Sequence, residues 1–294
     1  MTQRKLEQSR SFMFVPGNKQ RFLEKTETLP LDVALFDLED GVLPEEKPLA
    51  REMVIPILEK PSWSGPRRFV RLNAQTTPWF EDDLKAVVRP GLEGVCMTKV
   101  NSVAELTAGI ESITKREQEA GMAPGTVRVV AAIESPKGLL AAADIAAADP
   151  RVCALIFGGE DYALEIGLGA NRVAEAAEML HPRNVIIVAA AAAGVLSIDG
   201  VFPDLNNEEG CLKDIWQARR LGFTSKSTFN PRQVEMINEI FSPSAEDIDY
   251  ARRLVAAFDE GKARGDASIA FGGQLVDLPI LMRAERILED AGER

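Results

Sequence analysis

The stretch VRVVAAIESPKGLLAAADIAAADPRVCALIFGGED, residues 127–161, decides the fold class of this chain of 294 residues. Two short runs rich in valine, isoleucine and other apolar residues, 127–134 and 153–159, flank a segment with apolar residues at helical spacing. A strand, a helix and a second strand in this order form a unit whose two strands run parallel. The stretch therefore predicts a parallel sheet, provided that the same alternation recurs along the chain.

The alternation recurs on both sides of this stretch. The other predicted strands are 11–15, 33–38, 67–73, 94–99, 197–202 and 222–229. Helical spacing marks the segments between strands, such as 103–120 and 138–148. Eight strand–helix units in a chain of this length favour a closed (β/α)₈ TIM barrel over an open doubly wound sheet, which usually has fewer strands.

A C-terminal helical extension follows the eighth predicted strand. Ser244 and Asp247 resemble a capping box and predict a long helix that ends near Lys262. The glycine-rich segment 265–274 predicts a flexible connector, and a last helix is predicted over 279–290.

These elements divide the chain into two domains. We predict a catalytic barrel over 1–241 and an extension with a lid segment over 242–294. A helix on a loose connector can fold back on its own barrel or cap a neighbouring copy, and the sequence permits both; of the two, we expect the extension to pack on a second subunit of a homo-oligomer.

Composition narrows the function classes. A net charge of −11 opposes binding to nucleic acid and to anionic membranes. The widely spaced Cys96, Cys153 and Cys211 form no metal or disulfide pattern, and no export signal is visible, so we expect a cytoplasmic protein without a membrane segment. The single histidine, His181, is predicted in a surface loop, which disfavours Ser-His-Asp chemistry and histidine metal sites. The chemistry is therefore predicted to rest on carboxylates, arginine, lysine and a metal.

Polar residues at the carboxyl ends of barrel strands are the candidates for this chemistry. Glu134 ends the fifth predicted strand, and Asp161 follows the sixth. One strand-end acid alone is more often a helix cap or a surface charge. Because the two strands are neighbours, however, the two carboxylates can reach one ion, and two carboxylates with waters and substrate oxygens usually hold Mg²⁺. The sequence therefore predicts a magnesium site at Glu134 and Asp161.

Other strand ends add acids and cations. The second ends in FDLEDG, with Glu39 and Asp40, and the third ends near Arg71. Arg71 could bind a substrate carboxylate or neutralise the acids as a buried ion pair. Lys99, at the end of the fourth strand, has the same two interpretations, and acids around it would keep its ammonium charged, which disfavours a Schiff base.

The segment after the first strand is basic. Asn18, Lys19 and Arg21 could receive phosphates at the barrel mouth, or they could form a solvated helix face.

A set of motifs spans nearly the whole chain. They are FMFVPGN (12–18), LFDLEDGV (35–42), VRLNA (70–74), AAIESPKG (131–138), FGGEDYA (157–163), IDGVFPDLNNEEG (198–210), LGFTSKSTFNPRQ (221–233) and GGQLVDLP (272–279). In this order they resemble the citrate lyase β-subunit family, the CoA-ester carbon–carbon lyases of the HpcH/HpaI aldolase superfamily.

The resemblance implies a homotrimer of TIM barrels in which Glu134 and Asp161 bind Mg²⁺. It implies that Arg71 contacts the substrate, that Glu39 and Asp40 shape the pocket, and that the mouth takes a thioester of coenzyme A or of acyl carrier protein.

The implied reaction is cleavage of a β-hydroxy acyl thioester, such as a citramalyl, malyl or citryl thioester, into an acetyl thioester and an oxo acid. Asp277, in GGQLVDLP, matches the aspartate that lyase members supply from a neighbouring subunit, and it would exchange the proton at the acetyl methyl. Two alternatives stay open. One is a β subunit that docks acyl carrier protein in a citrate lyase complex, and the other is a metal-dependent aldolase on free 2-oxo acids, whose relatives depend on a histidine base.

Overall fold

The computed structural model describes residues 5–169 and 176–293. The chain divides into two compact units, the first ending at Asn238 and the second beginning at Glu239.

The first unit is a closed barrel. Within the described residues its eight parallel strands follow one another in chain order: β1 (Ser11–Pro16), β2 (Val33–Asp37), β3 (Arg67–Arg71), β4 (Gly94–Met97), β5 (Arg128–Ile133), β6 (Val152–Phe157), β7 (Leu196–Asp199) and β8 (Ser225–Thr228). β1 pairs with both β2 and β8, which closes the sheet. The predicted (β/α)₈ TIM barrel is therefore confirmed.

Helices surround the strands. They are α1 (Gln20–Thr26), α2 (Lys47–Leu58), α3 (Phe80–Val87), α4 (Val103–Glu119), α5 (Pro136–Leu140), α6 (Ala142–Ala147), α7 (Gly159–Glu165), α8 (Leu180–Ala193), α9 (Glu208–Leu221) and α10 (Val234–Phe241). No helix in the described part of the chain is long and apolar enough to cross a lipid bilayer.

Side chains on alternate positions of a strand point to the same face. This alternation places apolar residues in the core of the barrel and a carboxylate at its carboxyl end. Val33 and Leu35 of β2, with Val130 and Ala132 of β5, belong to one buried apolar cluster, and none is more than 2% exposed. Side chains two residues apart on a strand share a face. The same face continues to Asp37 at the end of β2, so the pattern that buries the core delivers a carboxylate to its carboxyl end.

The segment 138–148 is helical, as predicted, and a turn in which the Ala141 N–H donates to Gly138 O at 3.1 Å divides it into α5 and α6. One local prediction in this unit was wrong. His181 is exposed, as expected, but it is the second residue of α8 and does not lie in a loop.

The second unit contains α11 (Ala245–Ala263), β9 (Ile269–Phe271), β10 (Gln274–Val276) and α12 (Leu278–Asp290). The capping box at the start of α11 is present: Asp247 N donates to Ser244 Oγ at 3.0 Å, and Ser244 N donates to Asp247 Oδ2 at 3.1 Å. The two helices pack around a shared apolar cluster that includes Leu254 and Leu281.

The predicted flexible connector is instead a hairpin. β9 and β10 pair antiparallel, and Gly272 and Gly273 join them with φ values of +57° and +80°. Two glycines with positive φ between short apolar runs form the tight turn that matches strand twist. The glycine content therefore indicated a turn, where we had predicted flexibility.

Candidate active site

A buried ion pair between Asp37 and Arg71 lies at the carboxyl end of the barrel. The two residues end β2 and β3 and stand in register. Arg71 donates from Nε to Asp37 Oδ1 at 2.8 Å and from Nη2 to Oδ2 at 2.7 Å, a bidentate geometry. The backbone N–H groups of Glu39 and Gly41 donate to the same carboxylate at 2.8 and 3.0 Å. Burial lowers the pKa of Arg71, but Asp37 and Glu39 outweigh it and raise that pKa on balance.

Glu39 connects Arg71 to Lys99. Its Oε2 lies 3.0 Å from Arg71 Nη1, and its Oε1 accepts from Lys99 Nζ at 2.7 Å. The Arg71 contact is a charge contact, because among the described residues no donor is aligned on that oxygen. Glu39 is 4% exposed, and burial raises its pKa although both cations lower it.

Lys99 contacts the carboxylates of Glu134 and Asp161 as well as that of Glu39. Its φ of 54° is unusual for a residue with a side chain and costs on the order of 1–3 kcal/mol. The Lys99 backbone N–H donates to Glu134 Oε2 at 2.9 Å, while its Nζ lies 3.9 Å from Asp161 Oδ1. Burial lowers the pKa of Lys99, but Glu39 and its neighbours raise it on balance, so the ammonium stays charged.

Glu134 is the carboxylate with the most perturbed pKa at the mouth. It is 7% exposed, and burial together with the charges of Glu39 and Asp161 raises its pKa to about 7, although Arg71 opposes the shift. Gly158 makes room for it, because a Cβ at that position would lie 2.3 Å from Glu134 Cγ.

A cavity of about 460 Å³ opens beside Glu134 and Asp161. In the described ranges, no group of three or more His, Cys, Asp or Glu side chains forms a closed metal site. Two carboxylates beside an open cavity suit Mg²⁺, which keeps several waters and takes one or two protein carboxylates with substrate oxygens. A dication would also offset the charges of Glu39 and Asp161, which add to the effect of burial on the pKa of Glu134. The donor set present therefore fits this metal.

Residues 10–231, which include all eight strands of the barrel, match the HpcH/HpaI aldolase/citrate lyase family. The chain belongs to this family. The resemblance drawn from the motifs is confirmed, and the chain is a carbon–carbon lyase from a family of CoA-ester lyases.

Relatives of this HpcH/HpaI aldolase/citrate lyase family protein cover nearly its whole length. It is 37% identical over 280 residues to the citrate lyase subunit beta of Leuconostoc mesenteroides subsp. cremoris, which covers 95% of this chain and 92% of the relative. It is 33% identical over 282 residues to a (3S)-malyl-CoA thioesterase of Cereibacter sphaeroides, covering 96% and 94%. A crystal structure of protein CitE from Mycobacterium tuberculosis, in complex with magnesium, acetoacetate and coenzyme A, superposes with a TM-score of 0.78 at 31% identity, covering 97% and 98%.

The other predicted binding residues of this family member, Asn18, Lys19, Arg21 and Asp40, are not among the described lining residues of the cavity. Asp40 Oδ2 is 3.6 Å from Lys99 Nζ, on a side chain that is 62% exposed. Asn18 donates from Nδ2 to Glu46 Oε2 at 2.6 Å, which ties the loop after β1 to the start of α2. Lys19 and Arg21 are exposed, and neither belongs to the described lining of the cavity.

Asp277 lies in the second unit. It is exposed and occupies the N-cap position of α12, yet its side chain makes no capping hydrogen bond there.

Several lining residues were not predicted from the sequence. They come from the loops beyond the strand ends, the start of α4 and the end of α7: Gln75, Thr76, Asn101, Glu105, Ser135, Leu164 and Glu165. The strand-end rule stops at the last strand residue. Extending it to the next turn of chain would have found most of this set.

Proposed function

We propose that this protein is a Mg²⁺-dependent lyase that cleaves a β-hydroxy acyl thioester, carried on coenzyme A or acyl carrier protein, into an acetyl thioester and an oxo acid. The observation that carries the proposal is the cavity that Glu134 and Asp161 both line, together with Lys99. The CitE structure with magnesium and coenzyme A supports the choice of metal and carrier. Citramalyl, malyl and citryl groups are the acyl candidates.

Glu134 and Asp161 would hold the metal. Bound there, Mg²⁺ supplies a Lewis acid for the substrate oxygen that becomes the keto group. Glu134 then serves in its ionised form, because a nearby cation lowers the pKa of a carboxylate.

Arg71 supplies a fixed positive charge. The substrate hydroxyl gives its proton to solvent water in the open cavity, the bond between the hydroxyl-bearing carbon and the acetyl carbon breaks, and the bonding electrons pass to the acetyl thioester as an enolate. Arg71 is held by Asp37 and Glu39 before the substrate arrives, so it can offset substrate carboxylate or enolate charge without reorganising. The ammonium of Lys99 adds a second fixed charge near the same carboxylates.

We assign the proton transfer at the acetyl carbon to Asp277, presented by a neighbouring subunit of a homotrimer. Its carboxylate is exposed and is not used as a helix cap. Leu275, Leu278 and Met282 beside it are 70%, 58% and 59% exposed, an apolar surface that a second copy could cover. As an acid, Asp277 protonates the enolate carbon and gives acetyl thioester. In the reverse direction it is the base.

The test is a product analysis. Purified protein with Mg²⁺ is incubated with citramalyl-, malyl- and citryl-CoA, and acetyl-CoA, free CoA and oxo acids are measured by mass spectrometry. Acetyl-CoA and oxo acid in equal amounts, lost when Mg²⁺ is chelated, are expected. Free CoA with intact hydroxy acid would mean a thioesterase and would overturn the proposal.

Two further assays address the alternatives. Free 2-oxo acids and aldehydes as substrates detect an aldolase. Turnover of CoA thioesters by the purified chain alone argues against a subunit whose only role is to dock acyl carrier protein.

A further inference from the structure

A buried lysine, Lys47, lies behind the turn that carries Glu39. It is the first residue of α2 and is 4% exposed. Its Nζ donates to Leu38 O at 2.8 Å and to Glu39 O at 2.9 Å, and it lies 4.9 Å from the centroid of the Trp79 ring. The cation thus holds two successive backbone carbonyls of the turn.

A second layer supports the same turn. Asn73 Nδ2 donates to Leu38 O at 2.8 Å. Asn73 is fixed in turn by Asp83, whose Oδ2 accepts from Asn73 N at 2.9 Å and from Nδ2 at 2.7 Å. Asp83 is fully buried and receives Arg51 Nε on its other oxygen at 2.7 Å. Three side-chain hydrogen bonds, two from Lys47 and one from Asn73, therefore converge on the carbonyls of Leu38 and Glu39.

Burying Lys47 costs desolvation free energy, which is unfavourable if its only role is to stabilise the fold. Desolvating a cation costs several kcal/mol, and an apolar residue of similar volume is often as stable or more stable at such a position. The N-terminus of a helix is also the wrong end for a positive charge. Burial accordingly lowers the pKa of Lys47. The contacts on the carbonyls are the compensating gain that the structure shows.

We propose that Lys47 is a positioning residue of the active site, which fixes the Leu38–Glu39 turn so that the Glu39 carboxylate bridges Arg71 and Lys99. Its effect on turnover rests on the lyase function proposed above, whereas its effect on geometry does not. Without the lysine, the Leu38 carbonyl keeps only Asn73 Nδ2 and the Glu39 carbonyl keeps only the Val42 N–H as donors among the described residues, so the turn loses the one side chain that ties the two carbonyls together, and the peptide rotates. Glu39 then releases Lys99.

The release of Lys99 has a consequence for the metal. Lys99 Nζ already lies 3.9 Å from Asp161 Oδ1. Freed from Glu39, the ammonium would pair with Asp161 and compete with a cation for that carboxylate. Lys47 therefore acts on metal binding through two intermediate side chains.

The experiment compares Lys47→Met with Lys85→Met, a control that removes an exposed lysine of α3. Lys47→Met is expected to lose on the order of 10- to 100-fold in Mg²⁺ affinity by calorimetry and in kcat, the range seen for residues that orient metal ligands, with KM little changed. Its crystal structure should lack the contact between Glu39 Oε1 and Lys99 Nζ, which is 2.7 Å in the native protein. Propylamine should restore part of the kcat of Lys47→Ala in a saturable manner, because it returns the missing donor.

Wild-type kcat, wild-type Mg²⁺ affinity and an intact Glu39–Lys99 contact in a folded Lys47→Met protein would overturn the proposal. So would a lower melting temperature with no other change, the result for a purely structural lysine. If Lys47→Met does not fold, Asn73→Ala removes one donor from the same carbonyl and should shift the same readouts in the same direction; unchanged values there would refute the idea. If the wild type shows no lyase turnover, the proposed function fails, and the crystal structure and metal affinity still decide the role of Lys47.

Discussion

Replacing Glu134 by glutamine should stabilise the metal-free protein while abolishing its function. Burial and the nearby carboxylates raise the pKa of Glu134 from an ordinary 4.5 to about 7. One pKa unit corresponds to about 1.4 kcal/mol, so the ionised carboxylate costs the native state about 3 kcal/mol above neutral pH. Glutamine carries no charge, has nearly the same shape, and can still accept the Lys99 N–H through its amide oxygen.

The stability difference depends on pH in a defined direction. Below pH 4.5 the carboxyl is protonated in both the folded and the unfolded chain, so Glu134 costs nothing. Between pH 4.5 and about 7 the folded chain keeps a proton that the unfolded chain has lost, and the free energy of unfolding falls as the pH rises. Above that range the full cost applies. The advantage of Glu134→Gln should therefore be small at pH 5 and reach about 3 kcal/mol at pH 8.

Denaturant unfolding in EDTA at several pH values measures this difference. Glu165→Gln, an exposed change at the same mouth, controls for the altered net charge. Adding Mg²⁺ at 100 times its dissociation constant should stabilise the wild type by about 2.7 kcal/mol and leave Glu134→Gln unaffected. A variant that is less stable than wild type at pH 8, or that gains as much from Mg²⁺, would refute the reasoning.

Three other substitutions test separate parts of the site. Asp277→Asn should lower kcat at least about 100-fold, because it removes the proton transfer, and should leave the melting temperature and the Mg²⁺ affinity unchanged. It should also stop deuterium exchange into the acetyl methyl, and continued exchange would contradict the assignment. Arg71→Lys cannot make the bidentate pair with Asp37, so kcat should fall on the order of 100-fold in steady-state assays, whereas an unchanged rate would show that the fixed charge is unimportant. Gly158→Ala places a methyl 2.3 Å from Glu134 Cγ. It should lower the free energy of unfolding by about 1–3 kcal/mol and weaken Mg²⁺ binding. Equal stability would show that the Glu134 side chain moves freely.

Much of this site could be predicted from the sequence, because one geometric rule covers it. Strand alternation fixes which residues reach the barrel mouth, and chain order fixes which strands are neighbours. Arg71 ends β3, Glu134 and Lys99 lie one and two residues beyond β5 and β4, and Asp161 is the third residue of α7, so the order of the strands accounts for their common position at the mouth. Their roles stay proposals.

The pairing of side chains could not be predicted in the same way. Arg71 faces Asp37 because of the register between β2 and β3, which the hydrophobic pattern does not specify. Lys47 follows two glutamates in the sequence and looks like part of a solvated charged turn. Its burial depends on the packing of α2 and α3 together, a contact between segments that are distant in the chain.

A second buried charge cluster shows what sets the mouth apart. Lys226 Nζ lies 2.6 Å from a carboxylate oxygen of Asp199 and 2.6 Å from one of Asp214, and Arg183 donates to both oxygens of Asp199 at 3.0 and 2.7 Å. Burial alone would raise the pKa of Asp199, but the two cations lower it on balance, whereas at Asp214 burial outweighs the same cations and the pKa is raised. At Glu134 burial raises the pKa, and the charges of Glu39 and Asp161 add to it and outweigh the opposing charge of Arg71. In the second cluster two cations thus face two carboxylates, and no ligand is proposed there. Beside the cavity the carboxylates outnumber the cations, and a bound dication would offset that excess of negative charge.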